Sequence, residues 1–340
     1  MTRGAETTLP QAWLSRGLLA TTLWPVSLAF HALVSARRAA YRAGLLRSTR
    51  LPVPVIVVGN IFVGGTGKTP LTIWLVEELR RAGLVPGVVS RGYGAKNAAP
   101  VEVRPESSPD QVGDEPALIA RRAKCPVVVG RRRADAALSL LAAHPEVNVI
   151  VSDDGLQHYA LQRDVEIVLC DERGNGNGWL LPAGPLREPA GRPRDFTVFN
   201  AGHLPKGIPA QAVRMELIGG MAEPLSGTAG ARPLHELGGQ GVRIAAAAGI
   251  GNPSRFFAML KRAGLDVEEL PLPDHYDFAD NPFAKIAADL ILITEKDAVK
   301  CARIDTINND PRIWVVPVTA RIDRALAERI VEKCRGRPTA

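Results

Sequence analysis

The chain has 340 residues, of which 46% are hydrophobic and 5% aromatic, and its formal net charge is +7. This length and hydrophobic content are sufficient for two domains, and the positive charge favours an anionic partner. Because few aromatic residues accompany the basic ones, the composition argues against a nucleic-acid partner and favours an anionic membrane surface or a phosphorylated substrate. The cysteines are Cys125, Cys170, Cys301 and Cys334. They form no C-x-x-C motif and are interpreted as reduced cytosolic thiols.

An uncharged segment lies between Arg16 and Arg37 if His31 is neutral, after residues Met1 to Pro10, which are predicted to be disordered. At about 1.5 Å per residue it is just long enough to span a bilayer, although Pro25 makes it a weak span. The arginines that follow would fit against anionic headgroups on the cytoplasmic side. They are Arg37, Arg38, Arg42, Arg47 and Arg50. Three interpretations stay open: a helix lying in or dipping into the membrane, a single span, and a soluble core helix.

The central motif of the chain lies between Val55 and Leu75. A buried strand is predicted over Val55–Val58 and a helix from Leu71, with a glycine-rich loop between them. This order is typical of a phosphate cradle, because glycines let backbone N–H groups approach phosphate oxygens and the helix N-terminus adds positive partial charge. Lys68 can reach the β- and γ-phosphates, and the Thr69 hydroxyl can bind Mg²⁺. The predicted nucleotide-binding residues are Phe62, Val63, Gly64, Gly65, Thr66, Gly67, Lys68 and Thr69.

The loop departs from the strict G-x-x-x-x-G-K-[ST] pattern. Phe62 stands at the position of the first glycine, and Gly64 and Gly65 supply glycines two and three residues later. A simple glycine turn between a strand and a helix is the alternative. Since the context supplies every element that a phosphate cradle requires, we favour nucleotide binding.

Apolar runs alternate with helical segments from residue 51 to about residue 202, which predicts a parallel α/β sheet. The predicted strands are Val55–Val58, Val85–Ser90, Val127–Val129, Val147–Ser152, Val165–Cys170 and Thr197–Asn200. Ligands gather at the carboxyl ends of strands in such sheets. Polar and charged residues follow several of these strands, and the sequence therefore predicts a site along one edge of the sheet.

Two acidic positions are candidates for chemistry. Asp153 ends the apolar run VNVIVSD, the Walker B pattern, where a carboxylate can hold Mg²⁺ directly or through water. The alternative is that Asp153 caps the next helix. Asp114 and Glu115 precede a predicted helix, where they are either catalytic or a cap and a first-turn charge.

The second half of the chain adds a loop, a linker and another α/β unit. Residues 173–193 are dense in glycine and proline, and such a long loop in a compact domain is usually functional, here as a cover for a substrate. His275, on a predicted loop, is either a general base or a surface histidine. The predicted domains are a membrane-associated helix region at 1–50, a P-loop kinase domain at 51–203, a linker at 204–241 and a smaller α/β domain at 242–340.

Together these motifs resemble those of one family, the tetraacyldisaccharide 4'-kinases of lipid A synthesis. The matching stretches, in family order, are VGNIFVGGTGKTP, SRGYG, VGDEP, SDDGLQHY, GNGWLLPAGPLREP, PDHYDF and TEKDAVK. The stretches SDDGLQH and GNGWLLPAGPLREP are highly specific, since phosphate loops in general require neither. The hydrophobic N-terminal helix also matches.

The resemblance implies that the chain transfers the γ-phosphoryl group of ATP, with Mg²⁺, to the 4'-hydroxyl of an acylated glucosamine disaccharide 1-phosphate. It implies two α/β domains that face each other across a cleft, and a location at the cytoplasmic face of the inner membrane, peripheral or monotopic through the first helix. It points to Asp114 as catalytic base with His275 as its partner, and to Glu115 and Asp153 near the metal, with Thr69.

The substrate-binding residues are less directly implied. Gln157 and His158 belong to the matched SDDGLQHY motif and are expected to contact the substrate. Because guanidinium groups bind phosphate bidentately, we expect the 1-phosphate to bind at a basic turn, for which a solvated surface turn is the alternative. Its residues are Arg131, Arg132 and Arg133.

Two other functions stay open beside the lipid kinase. One is a P-loop ATPase switch that acts with a protein partner or delivers a metal, which the double-glycine loop resembles. The lack of a Cys/His metal cluster and the presence of PAGPLREP argue against it. The other is a cytosolic small-molecule kinase in which the first helix belongs only to the core.

Overall fold

The computed structural model of the protein describes most of the chain. The described residues are 11–92, 99–227, 230–239 and 241–336. The predicted disordered segment at 1–10 and residues Tyr93 and Gly94 of the SRGYG motif lie outside them. The helices, numbered in chain order, are α1 Leu18–Arg42, α2 Lys68–Arg81, α3 Pro109–Val112, α4 Asp114–Ala123, α5 Arg133–Ala143, α6 Pro253–Arg262, α7 Glu295–Cys301, α8 Asp305–Asn308 and α9 Arg324–Arg335.

A nine-stranded sheet forms the larger unit. Its strands are β1 Val55–Gly59, β2 Pro86–Ser90, β3 Val101–Glu102, β4 Val127–Val129, β5 Val149–Asp153, β6 Val165–Asp171, β7 Phe196–Asn200, β8 Val213–Ile218 and β15 Thr319–Ile322. Their order is β15-β8-β7-β6-β1-β5-β2-β4-β3. All neighbours pair in parallel except the antiparallel edge strands β15 and β3. The parallel sheet predicted from the alternating pattern is therefore present.

Alternate side chains of β1 pack on opposite faces of this sheet. Ile56 and Val58 pack into a core with α2, α4 and α9 on one face. Val55 and Val57 pack into a second core with α5 and the segment around Leu180 on the other. Because helices or loops cover both faces, the central strands are apolar throughout, which is why they appear in the sequence as continuous runs.

A six-stranded sheet forms the smaller unit. Its strands are β9 Met221–Pro224, β10 Arg232–Pro233, β11 Ile244–Ala248, β12 Glu268–Pro271, β13 Leu290–Thr294 and β14 Ile313–Val316. Their order is β10-β9-β14-β13-β11-β12, and the last four are mutually parallel. The smaller α/β unit expected from the sequence is thus a separate sheet with its own core on each face.

The boundaries between the units differ from the predicted division. Strand β8, within the predicted linker at 204–241, belongs to the larger sheet, and β9 and β10 belong to the smaller one. The chain then returns, because β15 pairs with β8 and α9 packs in the core of the larger unit. Local periodicity identifies such strands but cannot show that residues about 100 positions apart in the chain will pair.

Helix α1 lies on the surface of the larger unit. Only Ala20 and Ser27 of this helix are buried. Trp24 and Leu33 are among its exposed apolar residues. This burial does not fit a soluble core helix, which was one of the three interpretations. Within the described ranges, α1 is a helix long and apolar enough to cross a membrane.

Because α9 packs in the core of the larger unit, we predict that a substitution in α9 destabilises this unit. Ile330 is fully buried among residues of the nine-stranded sheet. We expect Ile330→Ala to lower the free energy of unfolding by about 2–5 kcal/mol, because it leaves a cavity. Hydrogen exchange should accelerate in β7 and β8 and not in β11. The exposed Glu328→Ala on the same helix is the control, and acceleration confined to β11 would contradict the assignment of α9.

Candidate active site

The carboxyl edges of the two sheets face a common cavity of about 1170 Å³. The larger unit contributes the phosphate loop and the residues that follow β2, β5 and β7. The smaller unit contributes the residues that follow β11, β12 and β13. The predicted site along one edge of the first sheet is thus one wall of a cleft between two units.

Two glycines shape the phosphate loop by adopting left-handed backbone conformations. Gly64 has φ 104°, and Gly67, which precedes α2, has φ 99°. A Cβ atom at Gly67 would lie 2.9 Å from Asn200 Nδ2. Asn200 donates a hydrogen bond from this nitrogen to the Thr66 carbonyl oxygen, at 3.2 Å. Both the turn and this close approach require glycine at position 67.

Asn60, a buried residue directly after β1, forms hydrogen bonds with the backbone of the phosphate loop. Its Nδ2 donates to the carbonyl oxygens of Phe62, at 2.6 Å, and Gly64, at 3.0 Å. Lys68 Nζ donates to Asn60 Oδ1 at 3.3 Å and lies 3.6 Å from Asp154 Oδ1. Asn60 was not predicted from the sequence as a site residue, although a polar residue directly after a buried apolar run is a usable signal for one.

Phe62 differs from the other predicted nucleotide-binding residues. Residues 63–69 line the cavity, whereas Phe62 is not among the described residues that do so. Its buried ring packs under Arg173, whose guanidinium carbon lies 4.2 Å from the ring centroid. Arg173 also donates to the Gly65 carbonyl oxygen at 3.4 Å. Phe62 therefore packs against Arg173, and the structure gives it a packing role in the loop.

Asp153 is fully buried at the end of β5 and still borders the cavity. It accepts hydrogen bonds from Thr72 Oγ1 and Ser90 Oγ, both at 3.2 Å. Burial, together with the nearby carboxylates of Glu115 and Asp154, raises the pKa of Asp153 above its ordinary value. Asp153 therefore lies among several carboxylates beside the phosphate loop.

The structure brings Asp114 and His275 together across the cleft. Asp114 begins α4, and His275 lies on the loop after β12 with φ 61°. His275 Nδ1 is 3.0 Å from Asp114 Oδ2. Burial acts to raise the pKa of Asp114, but the hydrogen bonds from His275 and Lys300 outweigh it and the pKa is lowered. Asp114 is therefore a carboxylate at neutral pH.

Two lysines that follow β13 lie beside these acidic groups, and neither was singled out as a site residue from the sequence. Lys296 Nζ lies 3.2 Å from Asp274 Oδ1 and 3.5 Å from Glu115 Oε1. Lys300 Nζ lies 2.9 Å from Asp114 Oδ2. Both lysines belong to TEKDAVK, a charged stretch at the carboxyl end of an apolar run, and this position was the sequence signal for a site.

The structure does not bring the three arginines of the predicted 1-phosphate site into the cleft. Arg133 begins α5 with its side chain buried, and it donates to the carbonyl oxygens of Gly130 and Asp153. Burial lowers the pKa of Arg133 to about 10. Arg131 and Arg132 are exposed, and none of the three is among the described residues that line the cavity.

Gln157 and His158 do line the cavity, with Arg91 and Arg187 as neighbouring cations. Gln157 Nε2 donates to Glu188 Oε1 at 2.9 Å. Burial, reinforced by nearby arginines, lowers the pKa of His158 to about 4. A neutral imidazole is expected there at physiological pH, so His158 can offer a hydrogen bond but not a positive charge.

The backbones of the two units approach each other closely where two glycines face each other. A Cβ atom added at Gly251, on the loop after β11, would lie 2.8 Å from the Gly65 backbone nitrogen. Beside this contact, Arg255 forms an ion pair with Glu172 and donates to the Asn200 carbonyl oxygen at 2.9 Å. The smaller unit therefore packs directly on the phosphate loop.

Comparisons with known proteins agree with this arrangement. A family model described as LpxK, tetraacyldisaccharide-1-P 4'-kinase, matches residues 19–335. A tetraacyldisaccharide 4'-kinase from Janthinobacterium sp. (strain Marseille) is 62% identical, with 98% of each chain covered. One from Herminiimonas arsenicoxydans is 59% identical, with 97% of this chain and 96% of the relative covered. The crystal structure of "apo" form LpxK from Aquifex aeolicus in complex with ATP matches with TM-score 0.76 and 28% identity, covering 93% of this chain and 99% of that one.

The contact between the two glycines predicts that Gly251→Ala weakens nucleotide binding. The new methyl group would collide with the backbone of the phosphate loop and displace one unit from the other. A displacement that costs about 1.4 kcal/mol would weaken ATP binding tenfold. The measurement is the Kd for ATP by titration calorimetry. Gly220→Ala is the control, because a Cβ there meets nothing within 4 Å, and an unchanged Kd in Gly251→Ala would contradict the prediction.

Proposed function

Because the chain belongs to the tetraacyldisaccharide 4'-kinase family and is a lipid A 4'-kinase that uses ATP, we propose roles for the residues of its cleft. The nucleotide lies on the phosphate loop, and the 4'-hydroxyl of tetraacyldisaccharide 1-phosphate lies at Asp114. One observation carries this proposal: Asp114, held by His275 from the other unit, lines the same cavity as Lys68. An ATPase switch would not need a carboxylate placed in this way.

Asp114 is proposed as the proton acceptor. A sugar hydroxyl is a weak nucleophile, and its attack is assisted when a positioned base removes the proton. The lowered pKa of Asp114 keeps this side chain ionised at neutral pH. His275 would stabilise the carboxylate through Oδ2 and hold it in place.

The phosphate loop is proposed to align and neutralise the triphosphate. Backbone N–H groups of residues 64–69 at the start of α2 suit phosphate oxygens. Lys68 borders the cavity with its ammonium held by Asn60, and this group can reach the β- and γ-phosphates. Alignment and charge neutralisation are the main requirements of phosphoryl transfer.

The residues beside the phosphate loop fit a Mg²⁺ ion. Within the described ranges, no group of three or more His, Cys, Asp or Glu side chains could hold a metal alone. Magnesium sites in kinases instead combine one or two carboxylates with substrate phosphates, and Asp153, Glu115 and the Thr69 hydroxyl all line the cavity. Burial and the neighbouring carboxylates raise the pKa of Asp153, and a bound cation would favour its ionised form. When bound, the ion would neutralise charge on the transferred phosphoryl group.

The N-terminal region is proposed to hold the enzyme at an anionic membrane, at the cytoplasmic face of the inner membrane. Helix α1 exposes apolar side chains, and the arginines in its last turns and just after it suit anionic headgroups. Acyl chains of the substrate could then remain in the bilayer while the sugar enters the cleft. Gln157 and His158 are its proposed polar contacts, and no nucleic-acid partner is proposed.

The transfer assay tests the assigned chemistry. Labelled γ-phosphate should pass from ATP to tetraacyldisaccharide 1-phosphate in mixed micelles. We expect Asp114→Asn to lower kcat by about 10²–10⁴-fold while the Kd for ATP stays within about threefold, since the base does not hold the nucleotide. Lys68→Ala should also lose transfer, but because the phosphate loop then lacks the ammonium that reaches the β- and γ-phosphates. Full activity of Asp114→Asn would refute the base assignment, and label released only as free phosphate by the wild type would favour the ATPase switch.

The proposed membrane contact predicts a loss of vesicle binding when α1 becomes polar on its exposed side. Leu18 and Leu33 are 84% and 70% exposed. Replacing both by Glu should weaken co-flotation with phosphatidylglycerol vesicles by about tenfold or more, because each Leu loses at least about 1.5 kcal/mol of burial. Leu138→Glu, at an exposed position on α5, is the control. Unchanged flotation of the double variant would exclude α1 as the anchor.

A further inference from the structure

Two basic side chains converge on one oxygen of Asp114. Lys300 Nζ lies 2.9 Å from Asp114 Oδ2, and His275 Nδ1 lies 3.0 Å from the same atom. Within the part of the chain that the structure describes, no hydrogen bond is made to Asp114 Oδ1. One carboxylate oxygen is thus occupied by the protein itself, and the other remains for a hydroxyl donor.

Lys300 lies behind Asp114 and outside the cavity. Its side chain is 15% exposed, and Lys300 is absent from the described residues that line the cavity, which include Asp114, His275 and Lys296. Within the described residues, this ammonium is therefore not part of the surface that the cavity offers to a nucleotide. Lys300 can affect the reaction only through the groups that it binds.

Lys300 also binds the loop that carries His275. Its Nζ donates to the Tyr276 carbonyl oxygen at 2.9 Å. The neighbouring residue His275 has φ 61°, a left-handed conformation that is unfavourable for a side chain with a Cβ atom. Its backbone N–H donates to the Gly249 carbonyl oxygen at 3.2 Å. The same ammonium therefore helps to locate both Asp114 and His275, which come from different units of the fold.

We propose that Lys300 is a positioning residue for phosphoryl transfer: it fixes Asp114 against His275 and leaves Oδ1 for the acceptor hydroxyl. This inference rests on the proposed function of Asp114. In the transfer, a bond forms between the 4'-oxygen and the γ-phosphorus as the bond from that phosphorus to ADP breaks. The hydroxyl proton passes to Asp114 Oδ1. Without Lys300 the carboxylate could rotate, and either oxygen could turn away from the hydroxyl.

A different role for Lys300 would be only to tie the two units together. Asp114 belongs to α4 of the larger unit and Lys300 to α7 of the smaller one. Other contacts cross the same interface without touching Asp114, including a hydrogen bond from Arg303 Nη2 to the Glu106 carbonyl oxygen, at 2.6 Å. If Lys300 only held the two units together, loss of the Arg303 contact should lower kcat by a comparable factor.

Steady-state kinetics of three variants separate these roles. With ATP and lipid substrate saturating in mixed micelles, we expect Lys300→Met to lower kcat about 100-fold, the effect typical of a misplaced catalytic group. Its KM for ATP should stay within about threefold of the wild type. Lys300→Arg, which keeps the charge and the donors, should recover at least about a tenth of the wild-type kcat. Arg303→Met should keep the wild-type kcat.

The Asp114→Asn background shows whether Lys300 acts through Asp114. There, adding Lys300→Met should lower kcat no further, since residues that act as one unit are not additive. Thermal unfolding is measured for each variant, and Lys300→Gln replaces Lys300→Met if the latter does not fold.

Three results would overturn the inference: a wild-type kcat in Lys300→Met, an equal loss in Arg303→Met, or a further loss in the Asp114→Asn background. The wild-type enzyme separates this inference from the proposed function. If the wild type phosphorylates the lipid and Lys300→Met does so equally well, only the role of Lys300 fails. If the wild type forms no phosphorylated lipid, the proposed function itself fails.

Discussion

The close packing of the smaller unit on the phosphate loop is the constraint on which the rest of the structure depends. Gly251 and Gly65 approach so closely that a Cβ atom does not fit at Gly251. This contact brings the carboxyl edges of two parallel sheets onto one cavity. Only in this arrangement can a histidine of one unit reach an aspartate of the other at 3.0 Å. Neither sheet alone holds all the groups that we propose for phosphoryl transfer.

Charge is balanced across this interface as well as within each unit. The larger unit supplies carboxylates around the phosphate loop, among them Asp114 and Glu115. The smaller unit supplies the lysines that face them, Lys300 at 2.9 Å and Lys296 at 3.5 Å. Because the buried carboxylates would otherwise destabilise one another, electrostatic attraction favours the packed arrangement. The same attraction lowers the pKa of Asp114 and keeps it ionised.

The N-terminal helix is joined to the same framework through the glycine- and proline-rich loop. Ser27 Oγ donates to the Leu180 carbonyl oxygen at 2.7 Å and accepts from the Ala183 N–H at 2.9 Å. A few residues later, the Pro185 carbonyl oxygen accepts a hydrogen bond from the Val63 N–H in the phosphate loop. The loop predicted to cover a substrate thus links the proposed membrane helix to the nucleotide site. These contacts connect the helix proposed to bind the membrane with the loop proposed to bind the nucleotide.

The sequence by itself determined the features that depend on local pattern. The buried strands, the phosphate loop with Lys68, the end of β5 at Asp153 and the start of α4 at Asp114 follow from periodicity and from glycine placement. The family resemblance drawn from the motifs is confirmed. The tertiary structure alone decided what depends on contacts between distant residues. In the tertiary structure Arg133 is buried, Phe62 packs against Arg173, and β15 pairs with β8 in the first sheet. Lys300 also contacts Asp114, which lies 186 positions earlier in the chain. The sequence could not predict this contact, because charge pairing across an interface leaves no periodic pattern in either segment.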